Sequence, residues 1–301
     1  MQKDQFEIKT LSGIVFKGRQ WLLHDAQANL VFLTGMMEHS GRYDNFGRYL
    51  NQRGINLFVM DQLGQGLNVE QISDLQKWPQ NAFQLSLEAI ECVRIMASEN
   101  GLPTAMGGHS MGSIMMQAYL ENYVHPNLKA IIMGTMAGPA IMQEVAYGLS
   151  RLLVRPSRRD LAHPILNYLG TEGFKRSIKG YKTPFDWLSY NEANVQAYLQ
   201  DDFCGAKNTG GFWQEFLRGT KDIWRSANLK RIDPSTQLLL VSGQDDPVGG
   251  CGKGVKWLEA RLRKYGIHQV ETILYPRMRH EILNEEGHRQ VEEDIVDFIF
   301  R

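Results

Sequence analysis

Gly107-Gly108-His109-Ser110-Met111-Gly112-Ser113 is the stretch on which the reading of this chain turns. Before it, Leu102-Pro103-Thr104-Ala105-Met106 reads as a short buried strand, and after it Ile114 to Tyr123 reads as a helix. Ser110 therefore falls where a strand turns into a helix. Glycines at 108 and 112 leave room for a tight turn that lifts a serine hydroxyl clear of a sheet, and the Met111 N–H stays free to bind an oxyanion. The competing reading is a Gly-rich loop in which Ser110 only caps the helix.

Upstream, residues 5–9 and 14–23 alternate as strands do around a turn at Ser12-Gly13, which predicts a hairpin. Asn29 to Leu33 and Ile55 to Met60 are short apolar runs of the kind buried on both faces of a sheet, with a helix from about Tyr43 to Arg53 between them. A helical stripe covers Ala82 to Glu99, and Leu128 to Met133 is a further strand. The alternation stops from about Ala137 to Leu229 and resumes with Gln237 to Val241, a helix from about Gly254, the strand Gln269 to Leu274 and a last helix from about Glu286. This order predicts an α/β fold with a mostly parallel central sheet and helices on both faces. Residues 1–136 and 230–301 form its two parts, and 137–229 is a helical insertion over the strand ends, where catalytic groups of such sheets sit.

Lys plus Arg and Asp plus Glu balance at 33 each, which gives no electrostatic footprint for a nucleic-acid partner. The polar start, Met1 to Gln5, does not read as a secretory signal, and the longest uncharged runs are too short or too broken by Gly and Pro to span a bilayer. The expectation is a cytoplasmic protein. Cys92, Cys204 and Cys251 have no C-x-x-C spacing and suggest neither a disulfide framework nor a zinc site.

A serine hydroxyl needs a base, and the base needs a third group to fix its tautomer. His280 lies in the loop after the final strand and is the candidate base; His268 precedes that strand and His288 falls in the last helix. His24, His125 and His163 read as solvated or capping residues, and the turn directs the His109 side chain away from Ser110. The acid belongs in Ser242-Gly243-Gln244-Asp245-Asp246-Pro247, where two aspartates compete and either can cap the following turn. Met36 N–H, after the strand ending at Leu33, pairs with Met111 N–H as the second oxyanion donor.

Together these residues resemble the monoacylglycerol lipase and lysophospholipase branch of the α/β-hydrolases, the family of serine aminopeptidase S33 type, over nearly the whole chain. The likeness rests on Glu38-His39-Ser40-Gly41-Arg42-Tyr43, on Asp61 with Gly64 and Gly66, on Gly108 to Gly112, on Asp246-Pro247-Val248-Gly249 and on Arg279 to Glu285. The resemblance implies Asp246 rather than Asp245 as the acid, and a cap that admits one acyl chain. The chain departs from the family at Thr34, where a histidine is usual, and at Gln62 and Gln65, where histidines are common.

Between Ala140 and Val154, Ile141, Met142, Val145, Ala146, Leu149, Leu152 and Leu153 recur at helical spacing with arginines around them. Packing against the cap is the first expectation, and contact of one edge with a membrane surface the sharper one. Met142, Val145, Leu149 and Trp187 are candidates for an acyl pocket. Cys204 and Cys251 read as buried bystanders. The function expected is hydrolysis of single-chain lipid esters through Ser110, His280 and Asp246 with no metal or cofactor. The rivals are a short-chain esterase or an aminopeptidase using Glu144 or Glu192, and a non-catalytic acyl-ligand binder.

Overall fold

The structure, a computed structural model, describes residues 2–301. The opening hairpin is β1 (Gln2–Lys9) and β2 (Val15–Leu22), turned at Ser12-Gly13 with Gly13 in the left-handed region at φ 83°. There follow β3 (Ala28–Leu33), α1 (Asp44–Gln52), β4 (Ile55–Met60), α2 (Ala82–Ser98), β5 (Thr104–His109), α3 (Met111–Asn122) and β6 (Lys129–Met133). After a helical stretch the core resumes with β7 (Gln237–Gly243), α9 (Lys253–Lys264), β8 (Val270–Tyr275) and α10 (His288–Phe300). The strands form one eight-stranded sheet in the order β1-β2-β4-β3-β5-β6-β7-β8. From β4 to β8 every pairing is parallel, and β2 alone runs the other way, antiparallel to β1 on one side and to β4 on the other.

Side chains of a strand alternate between faces, so the uniformly apolar strands must be covered twice. Val31, Leu33, Met106, Ile132 and Leu240 pack under α2, α3 and α9, where Ile90, Tyr119 and Leu258 are buried. Leu30, Phe32, Ile131, Leu239 and Val241 pack under α1 and α10 with Phe46, Leu50, Ile295 and Phe298. This is the mostly parallel sheet with helices on both faces that the alternation predicts.

Between β6 and β7 the chain forms α4 (Ala140–Leu153), α5 (Pro164–Gly170), α6 (Glu192–Gln200), α7 (Gly210–Thr220) and α8 (Ser226–Leu229), with an isolated antiparallel bridge between Ala162 and Thr209. The α4 stripe does not pack as expected. Ile141, Met142 and Val145 are more than 60% exposed and Leu152 is 84% exposed. The reason is positional: α4 packs on α7 through the edge of the stripe that carries Ala146 and Leu153, together with the buried Gln143 and Ser150, and the rest of the stripe faces outward. Among the described residues no helix is long and apolar enough to cross a membrane.

Candidate active site

Ser110 holds φ 53° and ψ −118°, a conformation that costs a non-glycine residue about 1–3 kcal/mol and persists only where the surroundings impose it. Ser110 N–H donates to the Met133 carbonyl at 2.9 Å, tying the turn to β6. A Cβ on Gly108 would lie 2.5 Å from the Gly112 carbonyl, and one on Gly112 would lie 2.4 Å from the Leu33 oxygen. Both glycines are thus fixed by backbone contact. The Ser110 side chain does not cap α3, which removes the competing reading of the stretch.

Asp246, in the loop after β7, is fully buried, and its Oδ2 lies 3.0 Å from His280 Nδ1. Oδ1 accepts the Val248 N–H at 2.9 Å, so the same carboxylate also closes the following turn. Asp245 turns outward to accept the Tyr190 hydroxyl at 3.0 Å. The His280 ring packs at a tilt against both His109 and Trp187, with ring centroids 4.6 and 5.2 Å away. His280 and Ser110 line one cavity, though no hydrogen bond joins them among the described residues.

The loop after β3 turns at Met36-Met37. Gly35 N–H is held by Glu38 Oε1 at 2.5 Å, and Met37 N–H by Gln65 Oε1 at 2.8 Å. Met36 N–H, between them, has no acceptor among the described residues, nor has Met111 N–H at the start of α3. Gln65 further donates its amide to the carbonyls of Gly35 (2.9 Å) and Glu38 (3.2 Å). The residue that sequence alone marks only as a departure is therefore the brace of this turn. Thr34, a further departure, is buried and donates its hydroxyl to the Met60 carbonyl at 3.4 Å.

Behind the turn lies a buried charge cluster. Arg42 grips Glu281 with two nitrogens at 2.6 and 2.7 Å and Glu38 at 2.9 Å. Burial alone would push the Glu38 carboxyl up. The hydrogen bond and charge of His109, then Arg42 and Gly35 N–H, outweigh burial and hold Glu38 well below the usual carboxylate range. Glu281 is lowered likewise, its desolvation outweighed by Arg42. The His109 ring makes no hydrogen bond to Ser110 among the described residues; it packs on His280 and lines the cavity. The signal for this cluster was present in Glu38 and Arg42, four residues apart, but their partner Glu281 is 239 positions further on.

The cavity measures about 390 Å³. Its walls are mainly apolar, with Met36, Met111, Met136, Met142, Leu149, Phe174, Trp187, Trp213 and Phe216 among them. Met142, Leu149 and Trp187 thus line it as expected. Val145 does not: at the 100° per residue of an α-helix it lies about 40° beyond Leu149, outside the arc that faces the cavity. Neither Cys204 nor Cys251 reaches the lining, and Cys251 is exposed rather than buried. Burial pushes the Cys204 thiol up, so it is a poor thiolate. His39, Asp201 and Cys204 lie close enough together to hold an ion, but His39 Nδ1 accepts the Gly41 N–H, which leaves Nε2 carrying its proton toward Asp201. A ring protonated there is not a metal ligand.

A hydrolase family model described as serine aminopeptidase, S33, matches residues 24–287. The chain is 24% identical to a monoacylglycerol lipase of Mycolicibacterium smegmatis over 282 residues, covering 91% of this chain and 89% of that protein. It is also 24% identical over 280 residues to a monoglyceride lipase homolog of Monkeypox virus, covering 83% and 90%. Among solved structures it is similar to a thermostable carboxyl esterase from Bacillus coagulans in complex with glycerol, with 25% identity, a TM-score of 0.88, and 100% and 98% of the two chains covered.

Proposed function

The chain belongs to the serine aminopeptidase S33 family of α/β-hydrolases and is a carboxylic ester hydrolase, and from that premise we propose that it cleaves esters of a single acyl chain, monoacylglycerols or lysophospholipids, through Ser110, His280 and Asp246. The observation that carries this reading is the joining of Ser110 and His280, in the wall of one largely apolar cavity, with the unbonded N–H groups of Met36 and Met111.

In this reading Ser110 Oγ attacks the ester carbonyl while His280 Nε2 takes its proton, and Asp246 holds Nδ1–H so that Nε2 is the basic nitrogen. The two free N–H groups receive the oxyanion as charge develops on it. His280 returns the proton to the leaving alkoxide, and a water activated by the same nitrogen releases the fatty acid from Ser110. Residues 137–229 act as a cap whose inner wall holds the chain. The outward face of α4, with exposed Arg151, Arg155 and Arg158 beside Ile141, Val145 and Leu152, meets an anionic bilayer surface during substrate pickup.

An aminopeptidase needs a carboxylate for the substrate ammonium. Glu144 is paired with Arg225 and Glu192 with Lys182, and neither lines the cavity. The acids that do line it, Glu38 and Glu281, are both engaged by Arg42. These pairings favour the lipid ester.

The test is hydrolysis of p-nitrophenyl esters of two to sixteen carbons by the protein and by Ser110→Ala from the same preparation. A rate peaking at medium or long chains and lost in the variant is expected. Cleavage confined to acetate and butyrate removes the acyl-cavity reading, and undiminished hydrolysis by the variant removes Ser110.

A further inference from the structure

Both ring nitrogens of His109 face oxygen acceptors. Nδ1 lies 3.1 Å from Glu38 Oε1, and Nε2 lies 3.3 Å from the backbone carbonyl oxygen of His280. A neutral imidazole carries one proton, so it would set a lone pair against one of these two oxygens. A protonated Glu38 does not rescue the neutral ring. Glu38 Oε1 already accepts Gly35 N–H and, at 2.8 Å, the Tyr43 hydroxyl, while Oε2 accepts Arg42, and a carboxyl proton would displace one of these donors. The ring fills space that two glycines leave open. A Cβ on Gly35 would come within 3.1 Å of Nδ1, and one on Gly134 within 3.2 Å of Cδ2, so both positions are kept bare around it.

The groups facing the ring are Glu38 from the oxyanion turn, Glu281 and His280 from the loop after β8, Asp246 behind His280, and Arg42 between the two glutamates. Burial by itself pushes an imidazolium toward the neutral form. Here the Glu38 hydrogen bond and charge, followed by Glu281 and Asp246, outweigh it and raise the His109 pKa above its ordinary value.

We propose that His109 is a resident imidazolium and a positioning residue: one N–H is fixed on Glu38, the other holds the carbonyl of His280, and the oxyanion turn and the base-bearing loop are thereby locked to each other. The positioning half rests on the reading of His280 as the base. The charge count gives the cation a purpose. Three carboxylates, Glu38, Glu281 and Asp246, against the cations Arg42 and His109 leave one net negative charge around His280. Protonation of His280 during attack on the ester cancels it. A neutral His109 would leave two.

The test is nuclear magnetic resonance of the full chain with 15N-labelled histidine, from pH 6 to 9. One histidine is expected to keep both ring nitrogens in the protonated range throughout, to vanish in His109→Gln and to titrate in Glu38→Gln, which also serves if the first variant does not fold. Every histidine showing an unprotonated ring nitrogen at pH 8 overturns the resident charge. On a soluble ester, His109→Gln should lower kcat about tenfold to a hundredfold with KM within about twofold, and an unchanged kcat overturns the positioning role. The resonance needs no turnover, so full activity in His280→Ala would overturn the base assignment and leave the charge of His109 standing.

Discussion

The two halves of the helical stretch between β6 and β7 meet the core in opposite ways. Residues 185–217 are stapled to it by polar groups: Glu285 accepts the Ser189 hydroxyl and the N–H groups of Tyr190, Asn191 and Arg279. Asn194 bridges Arg42 and Glu281, and Tyr198 donates to the Met37 carbonyl at 2.8 Å. Phe212 packs at a tilt on Trp78, with ring centroids 4.5 Å apart, and Phe216 on Phe83 at 6.3 Å. By contrast, α4, α5 and the segment between them expose Val145, Leu152, Leu161, Ile165 and Leu169. The stapled half holds the very loops that carry Met36 and His280, so it belongs to the site's geometry. The open half touches the cavity through one edge of α4, the inner side of α5 and Phe174 just beyond it, and is free to serve delivery. A rigid wall and a loose rim have different sensitivities.

The largest effect on that contrast is expected from Glu285→Ala. Removing a buried carboxylate that satisfies four groups strands their donors, with a loss of about 3–5 kcal/mol and at least about a hundredfold in kcat on a soluble ester; equilibrium denaturation and p-nitrophenyl butyrate kinetics measure both. Gln65→Leu keeps the volume but releases Gly35, Met37 and Glu38, and kcat should fall about tenfold to a hundredfold with stability less affected. If Gln65→Leu is as active as the parent, the turn does not need its brace. Val145→Glu with Leu152→Glu, on the open half, should leave soluble-ester kcat/KM within about twofold. Turnover of monoacylglycerol in anionic vesicles should drop several-fold, and equal loss on both substrates would erase the distinction between the halves.

The smallest effect concerns the seam where the stretch returns to the core. Glu121 near the end of α3 accepts Trp224 N–H, and burial raises its pKa to about 8 against that bond and the charge of Arg231. The folded protein thus binds a proton there that the unfolded chain has lost. Stability from this group is complete below about pH 4.5 and falls as pH rises toward 8. Glu121→Gln should match the parent near pH 4 and exceed it in Tm at pH 8, and parallel curves would remove Glu121 as the cause.

What could be read beforehand follows the range of the interaction. Ser110 and His280 were legible because strand ends position them through local pattern, and the glycines flanking Ser110 announce a turn. Asp246 was not separable from Asp245 by spacing, since both lie in one loop and only burial against His280 divides them. Gln65 and His109 were missed because their partners come from other loops, and a side-chain amide bracing a turn leaves no periodic trace. The exposure of the α4 stripe was misjudged for a related reason. Helical spacing shows that a face is apolar, and the packing of α7 decides which face is covered.

The central claim is that Ser110 is the nucleophile at the base of an acyl cavity. Intact-mass and peptide mapping after reaction with ethyl- and dodecyl-bearing fluorophosphonates tests it directly. The account predicts one adduct per chain, on Ser110, formed at least about tenfold faster with the dodecyl probe. No adduct on Ser110, or equal rates for the two probes, would contradict it.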